Sequence, residues 1–558
     1  MSRHGHVLRR ATSPGERLSA PSLPVVYAVY ALAALAIVQP AVNGPFVSDD
    51  LPNVSQNPYV QTLSADNLRE ILAPFGEVSR NTFNYAPVHS LAHALEWRVF
   101  GSGVTGYHVV NALTHAAAAA ALAGLLAARG LPAPAAGLAA LVFLTHPANV
   151  EAFAWIFQLK TVLSLAFALG ALLLHPRRPA LGTVCFALAI LTKATAATAL
   201  AMAAVWTVTD PAWRRRLPWL LAWLALFLPY AVIESLVNSR FSSVDAPLHP
   251  DPLVAARTIV AIGARYLAMA YTGWGVSAFH DPPRALTWSD PWWLAGVGLG
   301  ALFGARLVFA LRARREEAAW WLSAAAGWAP ISQVIPFVVP MGDRYLYCVL
   351  PGLIGGTCFA VRDVWRSGRL QAARARLPSA ATLARCAAVA ALALAAAFGV
   401  RSHVQARIWR SSFAVSLDSA RNYPHGQPAH LLRAAAAAQR GDAAATAGEL
   451  RELMAHGYDR FVDLETQPTW DPVRHDPAFR AVVREMAGFW IAQSRGSDPT
   501  QADLRMLGLA HGVRDEYGEA VAALDEAVRA GGPLTPQVRV ELARMRAAQQ
   551  RAQRAGGS

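Results

Sequence analysis

The run from Tyr107 to Ala128 reads YHVVNALTHAAAAAALAGLLAA and contains no Asp, Glu, Lys or Arg. A helix needs roughly 20 mostly apolar residues to cross the hydrocarbon core of a bilayer, and this run supplies them. Similar runs, most of which reach that length with their flanks, recur as far as residue 400. They are Pro24–Val42, Leu138–Leu144, Thr161–Leu174, Leu217–Ile233, Trp292–Leu311 and Ala380–Val400. The pattern predicts an all-α protein with a polytopic transmembrane helical bundle.

Composition agrees with this prediction, since 54% of the 558 residues are hydrophobic and only 15% are charged. A soluble chain averages about 25% charged residues. The net charge of +14 comes from arginine clusters beside the apolar runs, such as Arg214–Arg216, and in the C-terminal tail. Such clusters are typical of cytoplasmic loops and of contact with anionic lipid. We therefore reject a nucleic-acid-binding function.

We predict about eleven spans in a transmembrane domain at 23–400, which follows a basic cytoplasmic N-terminus at 1–22. Arg374, Arg376 and Arg385 support a cytoplasmic side for the last turn, and the loop 43–105 is external. The segment 253–271 is predicted to be an interfacial or re-entrant helix. The predicted spans are Pro24–Val42, Gly106–Ala128, Pro134–Ala148, Ile156–Leu174, two short helices that turn at Lys193, Leu217–Ile233, Trp292–Leu311, Ala318–Val339, Tyr345–Val361 and Ala380–Val400. This orientation suits a multi-pass protein of a bacterial inner membrane.

The tail at 401–558 is predicted to be a soluble, helical, extracytoplasmic domain. Its small and large residues at Leu507, Gly508, Tyr517, Ala520 and Ala527 match a tetratricopeptide repeat, and a weaker match covers 431–453. Two such units are fewer than the roughly three that a stable array needs. We therefore expect the tail to lean on the membrane domain or on an envelope protein partner.

Two adjacent carboxylates, Asp49 and Asp50, follow the first apolar run by a few residues. Mutual repulsion and partial desolvation should raise the pKa of at least one of them, which suits a general base. The alternative interpretation is a simple loop turn, because Asp and Pro favour turns.

The chain has only two lysines, Lys160 and Lys193, and both lie beside or within apolar runs. Cations at membrane depth are costly and usually functional, and a phosphate is the natural partner of a compact ammonium. Snorkelling of the side chains to the interface is the alternative.

Arg344 has a planar fork that matches phosphate oxygens, and Asp343 would orient it. A simple interfacial ion pair would also explain these two residues.

A second external cluster contains His146, Glu151 and Trp155. If 150–159 is one helix, Glu151 and Trp155 share a face. His146 and Glu151 lack the third ligand that a metal site needs, so capping and interfacial packing are the commoner explanation. His280, in a later external loop, is a further candidate without an assigned role.

Together these pieces resemble the GT-C class of membrane glycosyltransferases. The resemblance is greatest to the transmembrane and tetratricopeptide-repeat-containing O-mannosyltransferase-like proteins and their bacterial relatives. The matching pieces are Phe46–Asp50 with Asn57–Val60, Tyr85–Val88, Tyr107 with His108 and Asn111, His146 to Trp155, Leu191–Lys193 and Asp343–Tyr345. Relatives have a Gly-Arg-Lys-Asp-like run after the Trp, whereas this chain reads Phe157-Gln-Leu-Lys-Thr161 and keeps only Lys160.

The resemblance implies a polyprenyl-phosphate-linked sugar donor, such as a mannosyl phospholipid, and transfer to a protein hydroxyl or an envelope glycan. It implies that an Asp of the first external loop is the base and that Lys160, Lys193 and Arg344 hold the lipid phosphate. His146, Glu151, Trp155, His280, Asp343 and Tyr345 would shape the site. The reaction would invert the sugar carbon, and no cofactor or protein-bound metal is implied.

Two alternatives stand beside the transferase. A non-catalytic membrane scaffold would present its repeat-like tail to envelope proteins and would tolerate Asn at Asp49 and Asp50. A secondary transporter would place polar residues at the midplane of broken helices in two matched halves. The transporter is less favoured, because the polar clusters lie toward one face and the spans show no internal repeat.

Overall fold

The computed structural model describes residues 23–211, 213–241, 248–335, 339–366, 378–493, 499–532 and 534–556. Within these ranges all regular structure is helical, so the predicted all-α class is confirmed there. Two compact units are present. The first holds the chain up to Arg410 except for two short segments, and those segments, 277–283 and 338–342, belong with 411–558 to the second. The basic segment 1–22 and two of the three arginines of the last turn, Arg374 and Arg376, lie outside the described residues.

The first unit consists of seventeen α-helices among its described residues, joined by short 3₁₀ and π turns. In chain order they are α1 Leu23–Val38, α2 Pro58–Gln61, α3 Ala65–Leu72, α4 Glu77–Thr82, α5 Pro87–Phe100, α6 Val104–Ala128, α7 Ala133–Thr145, α8 Val150–Ala154, α9 Leu159–Leu174, α10 Pro179–Ile190, α11 Ala197–Thr209, α12 Trp213–Phe241, α13 Pro252–Thr272, α14 Pro291–Arg312, α15 Glu317–Trp328, α16 Leu350–Arg366 and α17 Ala380–Ala406.

Six helical segments of the described chain are long and apolar enough to cross a membrane, or seven if the bent pair α7 and α8 forms one span. They are Val104–Ala128, Ile156–Leu174, Arg214–Ser239, Pro252–Thr272, Pro291–Arg312 and Ala380–Arg410. These segments are compatible with an integral multi-pass membrane protein. The eleven crossings remain a prediction, because α1, α10 and α11 are apolar but shorter.

Two predicted spans are not continuous helices. The span predicted at Ala318–Val339 is helical only as far as Trp328, where a 3₁₀ turn, Ala329–Ile331, begins. Pro330 lies in that turn, and proline both lacks an N–H donor and disfavours the helical conformation of the residue before it. The span predicted at Tyr345–Val361 likewise begins as a 3₁₀ turn, and its α-helix starts only at Leu350.

The predicted interruption at Lys193 is confirmed. Helix α10 ends at Ile190, Lys193 has an extended backbone with φ −164°, and a 3₁₀ turn leads into α11. Helices of 12 and 13 residues reach only about 18–20 Å each. The extended backbone of Lys193 thus interrupts the helical conformation between these two short helices.

Helix α13 is one unbroken helix of 21 residues. Its length suits a span as well as an interfacial helix, so the interfacial location stays a prediction. The structure does explain its two arginines. Arg257 donates hydrogen bonds to the carbonyl oxygens of Ala285 and Leu286, and Arg265 lies 4.6 Å from the centre of the Trp292 ring.

Helices α6 and α9 run in the same direction. Near their starts Asn111 of α6 donates to the Trp155 carbonyl oxygen, and near their ends Gly124 packs against Leu173. The end of α6 approaches α15, where Arg129 donates two hydrogen bonds to Glu316. Beside it, Arg306 of α14 donates two to Glu317, whose carboxylate also accepts the Trp321 indole N–H. We call these two ion pairs the paired-arginine region.

The second unit consists of helices packed around two apolar clusters of its own. Gly508 packs directly against Leu524 and Ala520, as the small and large positions of the repeat pattern predict. Helix–turn–helix pairs are therefore present, while the tetratricopeptide assignment itself stays a prediction. The helices are α18 Ser412–Asn422, α19 Gln427–Gln439, α20 Ala443–Ala455, α21 Phe461–Thr466, α22 Pro477–Gln493, α23 Gln501–Val513, α24 Tyr517–Ala530 and α25 Thr535–Gly556.

Candidate functional site

The first external loop is attached to the start of α9 through the carboxylate of Asp50. Its two oxygens accept hydrogen bonds from the main-chain N–H groups of Val47, at 2.9 Å, and Phe157, at 2.7 Å. Only 1% of Asp50 is exposed. Burial raises the pKa of Asp50 to about 8, and the neighbouring charge of Asp49 adds to that rise while the two N–H donors oppose it. Asp50 therefore serves to hold the loop in place.

Asp49 differs from its neighbour because its side chain is half-buried rather than sealed. Among the described residues, no hydrogen bond or ion pair occupies its carboxylate; only its main-chain oxygen is used, by Asn53. The π-helical turn Leu51–Ser55 starts immediately after the pair, and such turns are frequent at functional sites. Of the two aspartates, Asp49 is the one that can accept a proton from a bound molecule.

The segment after His146 is not the single helix that the 150–159 spacing suggested. Helix α8 ends at Ala154, Trp155 is extended, and the 3₁₀ turn Ile156–Gln158 precedes α9. Because of this break, the Phe157 N–H is free to bind Asp50. The Trp155 indole donates to the Val47 carbonyl oxygen, at 3.3 Å. The i, i+4 face that would have joined Glu151 and Trp155 therefore does not form.

Glu151 and Arg344 form a buried ion pair across 193 residues of sequence. The Glu151 carboxylate accepts the main-chain N–H of Arg344 at 2.7 Å and also binds its guanidinium. The Glu151 and Arg344 side chains are 1% and 11% exposed. This pair was not expected from the sequence, which suggested Asp343 as the partner of Arg344. Arg344 also lies over the rings of Tyr345 and Trp155. The guanidinium is thereby fixed in position.

Both lysines interact electrostatically with Arg344. Lys160 also interacts electrostatically with Lys193. Lys193 Nζ donates to Thr161 Oγ1 at 2.8 Å. Lys160 is 9% exposed and its ammonium lies 4.1 Å from the centre of the Phe157 ring. Within the described part of the chain, no hydrogen-bond acceptor reaches that ammonium, although Asp49 and Glu234 act on it electrostatically.

Asp49, Glu151, Lys160, Lys193 and Arg344 thus form one cluster, which we call the lysine site. All five were selected from the sequence as candidates. The lysine site contains three cations and two carboxylates, Asp49 and Glu151. The Glu151 carboxylate already binds Arg344. The lysine site therefore holds one more cation than carboxylates, and an anion would balance that charge.

The other predicted residues are placed as follows. Trp155 and Tyr345 flank Arg344, and Asp343 is buried and interacts electrostatically with Arg401. Both ring nitrogens of His146 are used by main-chain groups, the N–H of Ala148 and the carbonyl oxygen of Ala270. With Glu151 also engaged, a shared metal site for His146 and Glu151 is not formed.

His280 belongs to the second unit. Its Nδ1 lies 2.7 Å from the Tyr423 hydroxyl, and the preceding residues Ala278 and Phe279 donate main-chain N–H bonds to Asp418 and Ser419. Burial raises the pKa of Asp418. The structure therefore gives His280 a role within the packing of the helical unit.

Two groups near the lysine site were missed from the sequence. Glu234 of α12 accepts the main-chain N–H of Tyr85 at 2.7 Å. In α5, His93 Nδ1 lies 2.6 Å from Glu96, and the His89 ring packs on those of His93 and Phe157. An acid one residue beyond the apolar run Leu217–Ile233 was a readable signal for Glu234, since ionisable residues at membrane depth are usually functional.

Chemically, the lysine site combines a carboxylate that can take a proton with cations that can hold a phosphate. Charge-assisted hydrogen bonds of this kind are among the strongest that a protein makes. Within the described residues, no group of three His, Cys, Asp or Glu side chains is placed to hold a metal ion. No protein-family model matches the chain, and neither a curated protein nor a solved structure does.

Proposed function

We propose that this protein is a membrane glycosyltransferase that moves a sugar from a polyprenyl-phosphate carrier to a protein hydroxyl or an envelope glycan on the extracytoplasmic face. The observation that supports it best is the lysine site, where Lys160, Lys193 and Arg344 converge beside Asp49. An ammonium that is almost buried and has no acceptor among the described residues is costly. An anionic ligand would remove that cost.

The lipid phosphate is the anion that this site suits. Lys160 and Lys193 present compact ammonium groups, whereas the guanidinium of Arg344 is held by Glu151 and Tyr345. In the proposed complex the two lysines bind phosphate oxygens directly, and Arg344 supplies a fixed positive charge behind them. The apolar helices around the site provide a surface for the lipid tail.

The transfer step follows from these positions. The acceptor hydroxyl gives its proton to Asp49 while its oxygen bonds to the anomeric carbon of the sugar. The bond between that carbon and the phosphate oxygen breaks, and its electron pair stays on the phosphate. Lys160 and Lys193 stabilise the charge that develops there. Displacement from the opposite side inverts the configuration at the sugar carbon.

Asp50 contributes by holding Asp49, not by taking the proton. Both of its oxygens already bind main-chain N–H groups. It joins the loop that carries Asp49 to the turn that precedes Lys160, so it sets the distance between base and phosphate site. We therefore assign Asp49 as the base and Asp50 as a positioning residue.

The test is transfer of labelled sugar from a panel of polyprenyl-phosphate donors to envelope acceptors by the purified protein in lipid. Asp49→Asn should abolish the transfer, whereas Asp66→Asn should not. Asp66 is a matched control because it lies in the same external loop in an exposed pair with Arg69. A folded Asp49→Asn protein with full transfer would contradict the base assignment. Absence of transfer from every donor by the wild type would favour the membrane scaffold.

A further inference from the structure

Glu234 connects the first external loop to helix α12. One of its carboxylate oxygens accepts the Tyr85 N–H across 149 residues of sequence. The side chain is half-buried, about two turns before the end of α12. The contact brings a carboxylate from a predicted span to the loop that also carries Asp49.

The second oxygen of Glu234 accepts no hydrogen bond from the described residues, and it is not fully enclosed by the protein. Glu234 acts electrostatically on Lys160, as Asp49 does. The carboxylate is therefore within electrostatic reach of the lysine site and has an oxygen available for a ligand. A carboxylate oxygen can accept two hydrogen bonds, so it suits a partner with several hydroxyl groups.

Two tyrosines neighbour this carboxylate, Tyr85 through its main-chain N–H and Tyr230 on the same helix. The rings of Tyr85 and Tyr230 lie 6.5 Å apart with an angle of 33° between their planes. Tyr230 precedes Glu234 by one helical turn and is buried, while Tyr85 is half-buried. Aromatic surface beside a hydrogen-bonding group offers both an apolar contact and a polar one. A sugar ring, with C–H faces and hydroxyl edges, needs both.

We propose that Glu234 recognises hydroxyl groups of the donor sugar and, together with Tyr85, determines which sugar is accepted. This inference rests on the proposed function, because it names the part of the same site that binds the sugar while Lys160 and Lys193 bind the phosphate. Glu234 is a specificity residue in this scheme and takes no proton from the acceptor.

A role as a mere counter-charge for Lys160 makes a different prediction. In that case loss of the negative charge would affect phosphate-containing ligands equally, with or without a sugar. In the proposed role only the sugar-bearing ligand loses contacts. The sugar-free polyprenyl phosphate should bind as well as before or more tightly, because a negative charge near Lys160 has been removed.

The test is competition between fluorescent polyprenyl phosphate and unlabelled ligands, measured on the full chain in lipid for the wild type and Glu234→Gln. Glutamine keeps an oxygen that can accept the Tyr85 N–H, so the loop contact is retained. We expect affinity for the preferred sugar-bearing donor to fall on the order of tenfold or more. We also expect discrimination against donors with an altered hydroxyl to narrow, while sugar-free polyprenyl phosphate binds unchanged or tighter. Glu316→Gln, in the paired-arginine region, is the matched control and should alter neither ligand.

Two outcomes overturn the inference. One is that Glu234→Gln binds every sugar-bearing donor as the wild type does. The other is that both classes of ligand weaken equally, which a structural role would cause. Because the readout is binding, the result is separate from the proposed activity. A wild type that discriminates sugars through Glu234 but transfers none would contradict the transferase and leave the sugar contact standing.

Discussion

The paired-arginine region and the lysine site both bring cations into an apolar bundle, but they treat charge in opposite ways. In the paired-arginine region each guanidinium donates two hydrogen bonds to one carboxylate. Glu317 also accepts the indole N–H of Trp321. In the lysine site one carboxylate is committed to Arg344, and Lys160 has no acceptor among the described residues. In the first region each of the two cations is neutralised by a partner, whereas in the second the Lys160 ammonium has no such partner among the described residues.

The difference teaches how to separate structural from functional charge in such a chain. A paired buried ion is costly to disrupt, because removal of one partner strands the other. An unpaired buried cation lowers stability until its ligand arrives, so its removal should stabilise the free protein and weaken binding. The predictions below test this contrast, from the largest expected effect to the smallest.

The largest effect is expected from Glu317→Ala, which leaves Arg306 and the Trp321 indole without their acceptor. The Glu317 side chain is fully buried while that of Arg306 is 30% exposed, so the loss should lie toward the lower end of the about 3–5 kcal/mol that breaking a buried pair costs. Thermal unfolding in lipid should therefore begin at a clearly lower temperature. Replacing both partners, in Arg306→Met with Glu317→Leu, should restore most of the stability. A single variant as stable as the wild type would remove the distinction between the regions.

Lys160→Met should have the opposite sign in the same assay. Removal of an almost buried cation should raise the unfolding temperature of the free protein. The affinity for polyprenyl phosphate should fall by roughly tenfold to a hundredfold, because a hydrogen bond to a charged group contributes about 1.5–3 kcal/mol. Competition binding measures the second quantity. Lower stability together with unchanged affinity would make Lys160 a structural residue.

Arg344→Lys tests whether the committed cation of the lysine site is structural. Lysine keeps the charge but cannot reproduce the planar contact with Glu151 or the stacking on Tyr345 and Trp155. We expect a loss of stability of about 1–2 kcal/mol, in the range typical of single substitutions, and a smaller loss of donor affinity than for Lys160→Met. An Arg344→Lys protein that binds donor less well than Lys160→Met would reverse the assignment of the two cations.

The smallest expected effect is a dependence of stability on pH caused by Asp50, which amounts to about 1.4 kcal/mol for each unit of pH. The folded pKa is about 8, above the usual value for Asp, so the folded state holds a proton that the unfolded chain releases. Stability should therefore decline as the pH rises from about 4 to about 8 and level off above that. Asp50→Asn should flatten the slope, at the expense of one main-chain hydrogen bond. Unfolding temperatures at a series of pH values check this, and equal slopes in both proteins would contradict it.

Parts of the site could be predicted from the sequence because charge in an apolar chain is conspicuous. Lys160, Lys193 and Arg344 stood out at the edges of apolar runs, and the structure brings them together. Apolar length alone was a weaker guide to helix ends, as the stop at Trp328 shows, although Pro330 marked it. Thr161, at the end of the run Phe157–Thr161, accepts a hydrogen bond from the Lys193 ammonium, which the sequence did not indicate.

Other features depend on contacts between distant parts of the chain. The Asp50 contact with Phe157 spans 107 residues, and the Glu234 contact with Tyr85 spans 149. Neither contact follows from local spacing. The Asp50 contact requires the helix to stop at Ala154, and the Glu234 contact requires the loop to reach α12. The distinction between Asp49 and Asp50 likewise depended on which carboxylate the main-chain donors occupy.

The pair between Arg306 and Glu317 has a consequence for how the chain enters the membrane during synthesis. Arg306 lies in the last third of the apolar helix α14, and a lone arginine costs up to about 2.5–3.5 kcal/mol on insertion scales, the full cost applying at the centre of a span. Its partner follows only eleven residues later, across the turn between α14 and α15. The two helices can thus leave the translocation machinery as a hairpin that already carries its neutralising acid. We expect that a long insertion into this turn would delay the pairing and reduce the yield of correctly inserted protein.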